Sequence, residues 1–354
     1  MERKDDHSEI SIILPCRNEE ESLDFCLNQI EKTIKKNNLS AEIIVSDSSV
    51  DKSPQIAQKH GVTLVKHDKE GYGIAYLEAL KIARGKYIFM ADCDGTYDFK
   101  EIPNFIYYLR NGYDLAIGNR FAFKMEKGAM PYLHKLGNPI LSGTLRMFFG
   151  VKIRDSHCGM RAIKKKSLLN LNLQTAGMEF ASEMIVKSAR NKLKMREIPI
   201  HYYKRMGESK LKPFSDAWKH MRFMLLYSPL FLFFIPGTVL FLTGFLLMIW
   251  PGPLTKNLFL PALTIITGYQ LIVFSVFAKT YSIVHLKEQS PAMDKLYKYI
   301  TIERASIIGI TVAILGVIIY SLTFSPIASL TLITIGVQTI FSSFMLSILG
   351  IKEK

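Results

Sequence analysis

The chain has 354 residues, enough for two ordinary domains. It carries 45 Lys and Arg against 31 Asp and Glu, a formal net charge of +14, yet its mean hydropathy is positive. That pairing argues against a wholly soluble fold. With no helix-turn-helix, zinc-finger or RNA-binding signature present, the basic excess reads as attraction to anionic headgroups and phosphates, with no nucleic-acid partner.

The N-terminal residues 1–9 are polar and charged, unlike a signal peptide, so the first domain is expected to stay in the cytoplasm. After them, strand-like and helix-like runs alternate. Strands are predicted at residues 10–14, 42–46, 62–65, 86–91 and 114–117, with helices at 19–36, 53–60, 74–84 and 100–109. Such alternation predicts a mainly parallel sheet covered on both faces, with ligands at the carboxyl ends of its strands. Residues 131–149 and 214–226 mix apolar side chains at helical spacing with Lys and Arg, as interfacial helices do. A helix packed on the domain core is the competing reading, and for the first of the two it is equally good.

Four long apolar runs follow, at about residues 226–250, 258–278, 305–324 and 327–349. Each is long enough to cross a bilayer, which takes roughly 20 residues. Lys287, Lys295, Lys298 and Arg304 fall between the second and third runs, and Lys352 and Lys354 in the tail. The other two connections hold only Lys256 and no basic residue, respectively. The positive-inside rule then puts both chain ends in the cytoplasm. Neither acidic residues nor arginines interrupt the runs, which argues against an ion pathway. Lys279 ends the second run and has two readings, a snorkelling lysine or a contact for an acceptor phosphate.

The sharpest chemical signal is Asp92-Cys93-Asp94, directly after an apolar strand. Two carboxylates one residue apart can share Mg²⁺ or Mn²⁺ and the diphosphate that the ion bridges. Asp47 and Asp51 follow the second strand and suit either a ribose or base contact or a turn with a helix cap. Pro15, Arg17 and Glu19 close the first strand in the same way. Gly71 and Gly73 make a turn that could approach a nucleotide, and a plain turn is an equally good reading. Arg205 and Lys210 flank Gly207 on a segment whose cations suit phosphate. The four cysteines, Cys16, Cys26, Cys93 and Cys158, show no metal-ligand or disulfide-dense spacing, which suits a reducing compartment.

Taken in order, these motifs resemble the family 2 glycosyltransferases of GT-A fold, among them the dolichyl-phosphate mannose and polyprenyl-phosphate glucose synthases. The resemblance spans about residues 8–215 and rests on residues 15–19, Asp47, Ser49 and Asp51, Asp92 and Asp94, Gly118 and Arg120, residues 155–161, and Arg205, Ser209 and Lys210. It implies a Rossmann-like GT-A catalytic domain over residues 1–213, an amphipathic segment at 214–225 and a transmembrane domain of four helices over 226–354. By that resemblance, Pro15, Arg17, Glu19, Asp47, Asp51, Asp92 and Arg120 contact a UDP- or GDP-sugar, and Asp92 and Asp94 hold Mg²⁺ or Mn²⁺. Asp94, Asp155, Arg205 and Lys210 serve the reaction, and Arg161, Glu179, Glu183, Ser209 and Lys279 face a polyprenyl-phosphate acceptor. The implied reaction is inverting transfer of one sugar. Ser46 and Thr96 depart from the pattern, where relatives carry Asp and Gln. Processive polysaccharide synthases are the alternative enzymes, but neither Trp218 nor Trp250 completes their Gln-x-x-Arg-Trp motif. A non-catalytic membrane scaffold is the other alternative, and a homo-oligomer is compatible with either.

Overall fold

Strands β1 (Ile10–Cys16) and β2 (Ala41–Asp47) are Ile- and Val-rich and pair in parallel, with Cys16 beside Asp47 at their carboxyl ends. β4 (Tyr87–Met90) lies parallel on the other flank of β1, and β3 (Thr63–Lys66) parallel beyond β2. Both faces of β1 and β4 are buried, as a central parallel strand requires. The computed structural model describes residues 8–123, 125–207, 213–250, 258–285, 297, 301–323 and 326–350. Its sheet has seven strands in the order β3-β2-β1-β4-β6-β5-β7. β6 (Arg161–Lys164) runs antiparallel to both β4 and β5 (Leu115–Asn119), while β7 (Met195–Pro199) is parallel to β5. The sheet is therefore mainly parallel with one reversed strand, which the sequence reading did not contain.

Helices α1 (Leu23–Lys36), α2 (Ser53–Lys59), α3 (Tyr72–Leu80) and α4 (Ile102–Arg110) follow the first four strands. α1 begins four residues later than its periodicity suggests. Asn18 takes a left-handed φ of 52°, and the Glu19 and Glu20 amides donate to Ser53 Oγ and Asp51. Those amides are spent on a neighbouring loop instead of a first helical turn. α3 stops short of its predicted end because Arg84 N is held by Glu42, and Gly85 lies against β1, where a Cβ would meet Ser11 N at 2.4 Å. Beyond β5 come α5 (Tyr132–Phe149), α6 (Lys165–Leu171), α7 (Phe180–Arg190) and α8 (Pro213–Leu226). α5 leaves Tyr132, Leu133, Leu136, Ile140 and Met147 exposed while Leu141 and Leu145 are buried, so it packs on the domain by one stripe alone.

The chain divides into the units Met1–Met224 and Leu225–Lys354. Among the described residues of the second unit, four helices are long and apolar enough to cross a membrane: Leu230–Ile249, Phe259–Val284, Ile302–Leu322 and Pro326–Gly350. They comprise α9 (Ile235–Ile249, entered through a π-helical turn at Leu230–Phe234), α10 (Phe259–His285), α11 (Ile302–Thr323) and α12 (Pro326–Gly350). Glycines let their backbones approach, since a Cβ on Gly268 would stand 2.7 Å from Gly237 O, and one on Gly336 2.5 Å from Gly309 O.

Candidate active site

The parallel strands bring three separated motifs to one edge. Around the first two, side chains stitch loop to loop. Asn18 N donates to Ser49 Oγ at 2.7 Å, Val50 N to Asn18 Oδ1 at 2.9 Å, and Lys52 N to Glu20 Oε2 at 3.0 Å. Asp51 accepts from Ser53 N and Glu20 N, so both of its oxygens secure the loop, the turn-and-cap role weighed for it. Asp47 differs. It is fully buried, its Oδ1 accepts from Ser49 N at 3.3 Å, and its Oδ2 has no hydrogen-bond partner. A buried acceptor left in that state is costly unless a ligand donor reaches it. Ser46, one position earlier, hydrogen-bonds His67 Nε2 at 3.1 Å. Pro15 lies within β1, its carbonyl accepting from Cys93 Sγ at 3.1 Å, and Arg17 pairs with Glu70 at 2.5 Å.

The third motif carries most of the charge. Asp94 Oδ1 accepts from Thr96 N at 3.1 Å and Thr96 Oγ1 at 2.6 Å, and its Oδ2 takes Arg205 Nη1 at 2.8 Å. Arg205 also reaches Glu19 Oε1 through Nη2 at 2.5 Å. Thr96, the departure from the family pattern, thus orients the carboxylate that it follows. Burial, and then the charge of Asp94, push the Asp92 carboxyl well above the usual range. Two neighbouring carboxylates in a partly desolvated place call for a cation, and Arg205 supplies one. Its own segment is zipped to this loop: Tyr203 N donates to Thr96 O, Met206 N donates to Asp94 O, and Tyr202 bridges Tyr97. Met206 covers Gly95, whose φ of 79° a side chain would resist. Ser209 and Lys210 lie outside the described residues.

Among the described residues no three His, Cys, Asp or Glu side chains converge as a metal cage. The donors present, Asp92 and Asp94, fit a hard divalent cation that draws its other ligands from phosphate and water. Gly159 closes the far side, since a Cβ there would stand 2.4 Å from Asp92 Oδ2.

The remaining expected site residues divide by burial. Asp155 is fully buried and both its oxygens hold Arg120, from Nε and Nη2 at 2.8 Å each, while Arg120 N donates to it at 3.0 Å. Asp155 was expected to serve the reaction. It instead fixes Arg120, whose guanidinium lies 5.3 Å over the Tyr202 ring. Arg161, expected to face an acceptor, is 3% exposed and donates to the carbonyls of Cys158, Ser156 and Ala181. Glu183, with the same expectation, is fully buried and accepts from Gln174 N, Thr175 N and Thr175 Oγ1, with Lys187 paired at 2.6 Å. Both have their partners inside the protein, as a buried charge requires. Glu179 alone of this group keeps a carboxylate oxygen without a partner. Lys279 belongs to α10, in the second unit. Gly71 and Gly73 serve packing: a Cβ on either would stand within 2.3 Å of a carbonyl oxygen in the 175–176 loop. Sequence reasoning missed Tyr97, whose hydroxyl accepts from Gly159 N at 2.8 Å, and Tyr202. Their sole signal was aromatic placement near Asp94 and Arg205.

Residues 11–171 match the profile of glycosyl transferase family 2. The low-salt glycan biosynthesis hexosyltransferase Agl6 of Haloferax volcanii is 34% identical over 96% of this chain and 89% of its own length. A dolichyl-phosphate hexose transferase of the same organism is 29% identical over 59% of this chain and 89% of its own. In fold, the chain is similar to glucosyl-3-phosphoglycerate synthase from Mycobacterium tuberculosis, solved with Mn²⁺, UDP-glucose and phosphoglyceric acid. The TM-score is 0.51 at 18% identity, over 62% of this chain and 79% of that one. The sheet edge that gathers Asp47, the Asp92–Asp94 pair and Arg205 thus lies in a chain matched to hexosyltransferases along nearly its whole length, and the chain is a glycosyltransferase of family 2.

Proposed function

We propose that the enzyme transfers one hexose, with inversion, from a nucleoside-diphosphate sugar to a polyprenyl phosphate at the cytoplasmic face of a membrane. The observation that carries this reading is Arg205 lodged between Asp94 and Glu19, in a chain that continues into four membrane-length helices. The relatives named for hexose transfer, one of them for dolichyl phosphate, support it.

Asp47 Oδ2 is the free acceptor for a base or ribose donor. Asp92 and Asp94 would hold Mg²⁺ or Mn²⁺, which when bound neutralises charge building on the departing diphosphate. The synthase of similar fold, solved with Mn²⁺ and UDP-glucose, supports a divalent ion here. For Asp94 to serve, Arg205 must leave its Oδ2, and its natural destination is the phosphates, to which guanidinium binds bidentately. A lipid phosphate, with a second pKa near about 6, is mostly ionised before attack and needs little help from a base. That suits a site in which Asp155 and Glu183 are already committed. Were the acceptor a hydroxyl, Glu179 would be the base to test.

Membranes holding the enzyme, incubated with a panel of nucleotide-sugars and polyprenyl phosphate, are expected to yield a lipid heavier by one hexose in mass spectrometry. Hexose appearing in polysaccharide, with none on lipid, would refute the acceptor class.

A further inference from the structure

Outside the reaction edge, a chain of five buried or partly buried polar side chains joins three helices to the turn that carries Asp155. Ser142 on α5 meets Ser156 Oγ at 2.9 Å and accepts from Ser156 N at 3.1 Å. Ser156 Oγ meets His157 Nδ1 at 3.0 Å, and His157 Nε2 lies 3.3 Å from Ser182 Oγ on α7. Ser182 Oγ then meets His220 Nδ1 on α8 at 2.8 Å. The two imidazoles pack edge to face, with centroids 4.4 Å apart. Ser142, Ser156 and Ser182 are fully buried and His220 is 5% exposed.

One direction of donation satisfies the whole chain with both rings neutral. Ser142 gives to Ser156, Ser156 to His157 Nδ1, His157 Nε2 to Ser182, and Ser182 to His220 Nδ1. Burial, and then the neighbouring His220, hold His157 well below the ordinary imidazole value, in keeping with neutral rings. Such a network has little tolerance for a missing member, because each loss strands a buried partner.

Its placement gives it a use. α8 is the last helix of the first unit, and the chain passes from it directly into the apolar helices. It also exposes Trp218, at 61%. The 155–158 turn holds Arg120 through Asp155 and is tied a second time to α7 by Arg161, which bonds Ser156 O and Ala181 O. We propose that Ser182 and His220 are positioning residues for the lipid acceptor, locking the helix that leads to the membrane-spanning unit onto the 155–158 turn. This rests on the polyprenyl-phosphate reading above.

The full-length enzyme in detergent tests it. Ser182→Ala and His220→Leu are expected to raise the KM for polyprenyl phosphate roughly five- to tenfold, the worth of one buried hydrogen bond. The donor KM should stay unchanged. His220→Asn, whose Oδ1 falls near the place of Nδ1 and can accept from Ser182, should restore the parent KM. Equal acceptor KM in His220→Leu and the parent, a parallel rise in donor KM, or no advantage of Asn over Leu would overturn the proposal. If the parent itself moves no sugar to polyprenyl phosphate, the acceptor reading has failed instead. Amide hydrogen exchange then decides the coupling: residues 155–158 should exchange faster in His220→Leu than in His220→Asn, and equal rates would overturn it.

Discussion

At the scale of single residues, the site is a contest for a few carboxylate oxygens. Asp94 has both of its oxygens engaged, one by Thr96 and one by Arg205, so Mg²⁺ or Mn²⁺ held there, as proposed above, would compete with an arginine. Asp94→Asn is expected to lower kcat by roughly 10²- to 10³-fold, the scale of losing one electrostatic stabiliser. The melting temperature should change little, because the isosteric amide oxygen can still accept from Thr96. Arg205→Ala should also slow transfer, yet bind Mn²⁺ alone more tightly, by titration in the absence of nucleotide. Weaker Mn²⁺ binding in that variant would mean that Arg205 does not compete for the ion. Asp155 behaves oppositely. Asp155→Ala leaves Arg120 buried and unpaired, which costs about 3–5 kcal/mol and should show as a marked fall in melting temperature. Arg120→Met combined with Asp155→Leu should recover much of that stability and none of the activity, since an apolar pair of like volume can replace a buried ion pair.

Elements are held together here by polar clamps as well as by the apolar core. His60, at the end of α2, bonds Asp24 at 3.0 Å and Glu31 at 2.8 Å on α1. Burial lowers its affinity for a proton, but the two carboxylates outweigh this and the net shift is upward. A raised pKa in the folded state means the clamp contributes fully below the ordinary value of about 6.5 and fades as pH rises through the raised one. The melting-temperature difference between the parent and His60→Gln should therefore be larger at about pH 6 than at about pH 8.5. A difference independent of pH would assign the contact to packing. Gly73 makes a second element-level point. A Cβ there would stand 2.1 Å from Thr175 O and 3.1 Å from Phe180, so Gly73→Ala should destabilise by about 1–3 kcal/mol through forced displacement of the 175–176 loop. The glycine that looked like a nucleotide-contact turn is needed because α3 and α7 pack closely.

For the whole molecule, the arrangement of basic residues leads to a prediction about sidedness. All four native cysteines are buried, so introduced ones can be read against a low background. In intact cells, a membrane-impermeant thiol reagent should label Lys256→Cys. It should reach Lys295→Cys only after permeabilisation, because the positive-inside rule keeps the Lys-rich connection with the catalytic unit in the cytoplasm. The reverse pattern would invert the topology and with it the proposed face of reaction. In the orientation proposed, Lys279 is near the cytoplasmic interface. Lys279→Gln should raise the acceptor KM if the lysine binds phosphate, and leave it unchanged if it merely snorkels.

The primary structure by itself determined strands β1 to β5, the four membrane-length helices and the Asp92–Asp94 motif, but not β7. Each of these is a local signal: a short apolar run, a length of apolar chain, or two carboxylates after a strand. It could not yield β6, because the four residues Arg161–Lys164 carry no alternation and become a strand only by pairing between β4 and β5. Nor could it separate Asp47, with its uncommitted buried oxygen, from Asp51, whose oxygens are spent on neighbouring amides. Asp155, Arg161 and Glu183 have the same charged chemistry as the other candidate site residues, and only the structure shows that they are buried with partners inside the protein. Tertiary structure decided those roles, because whether a charge serves a ligand or the fold depends on which partners are brought within hydrogen-bond reach. Those partners stand up to 186 residues away in the chain, as Arg205 does from Glu19.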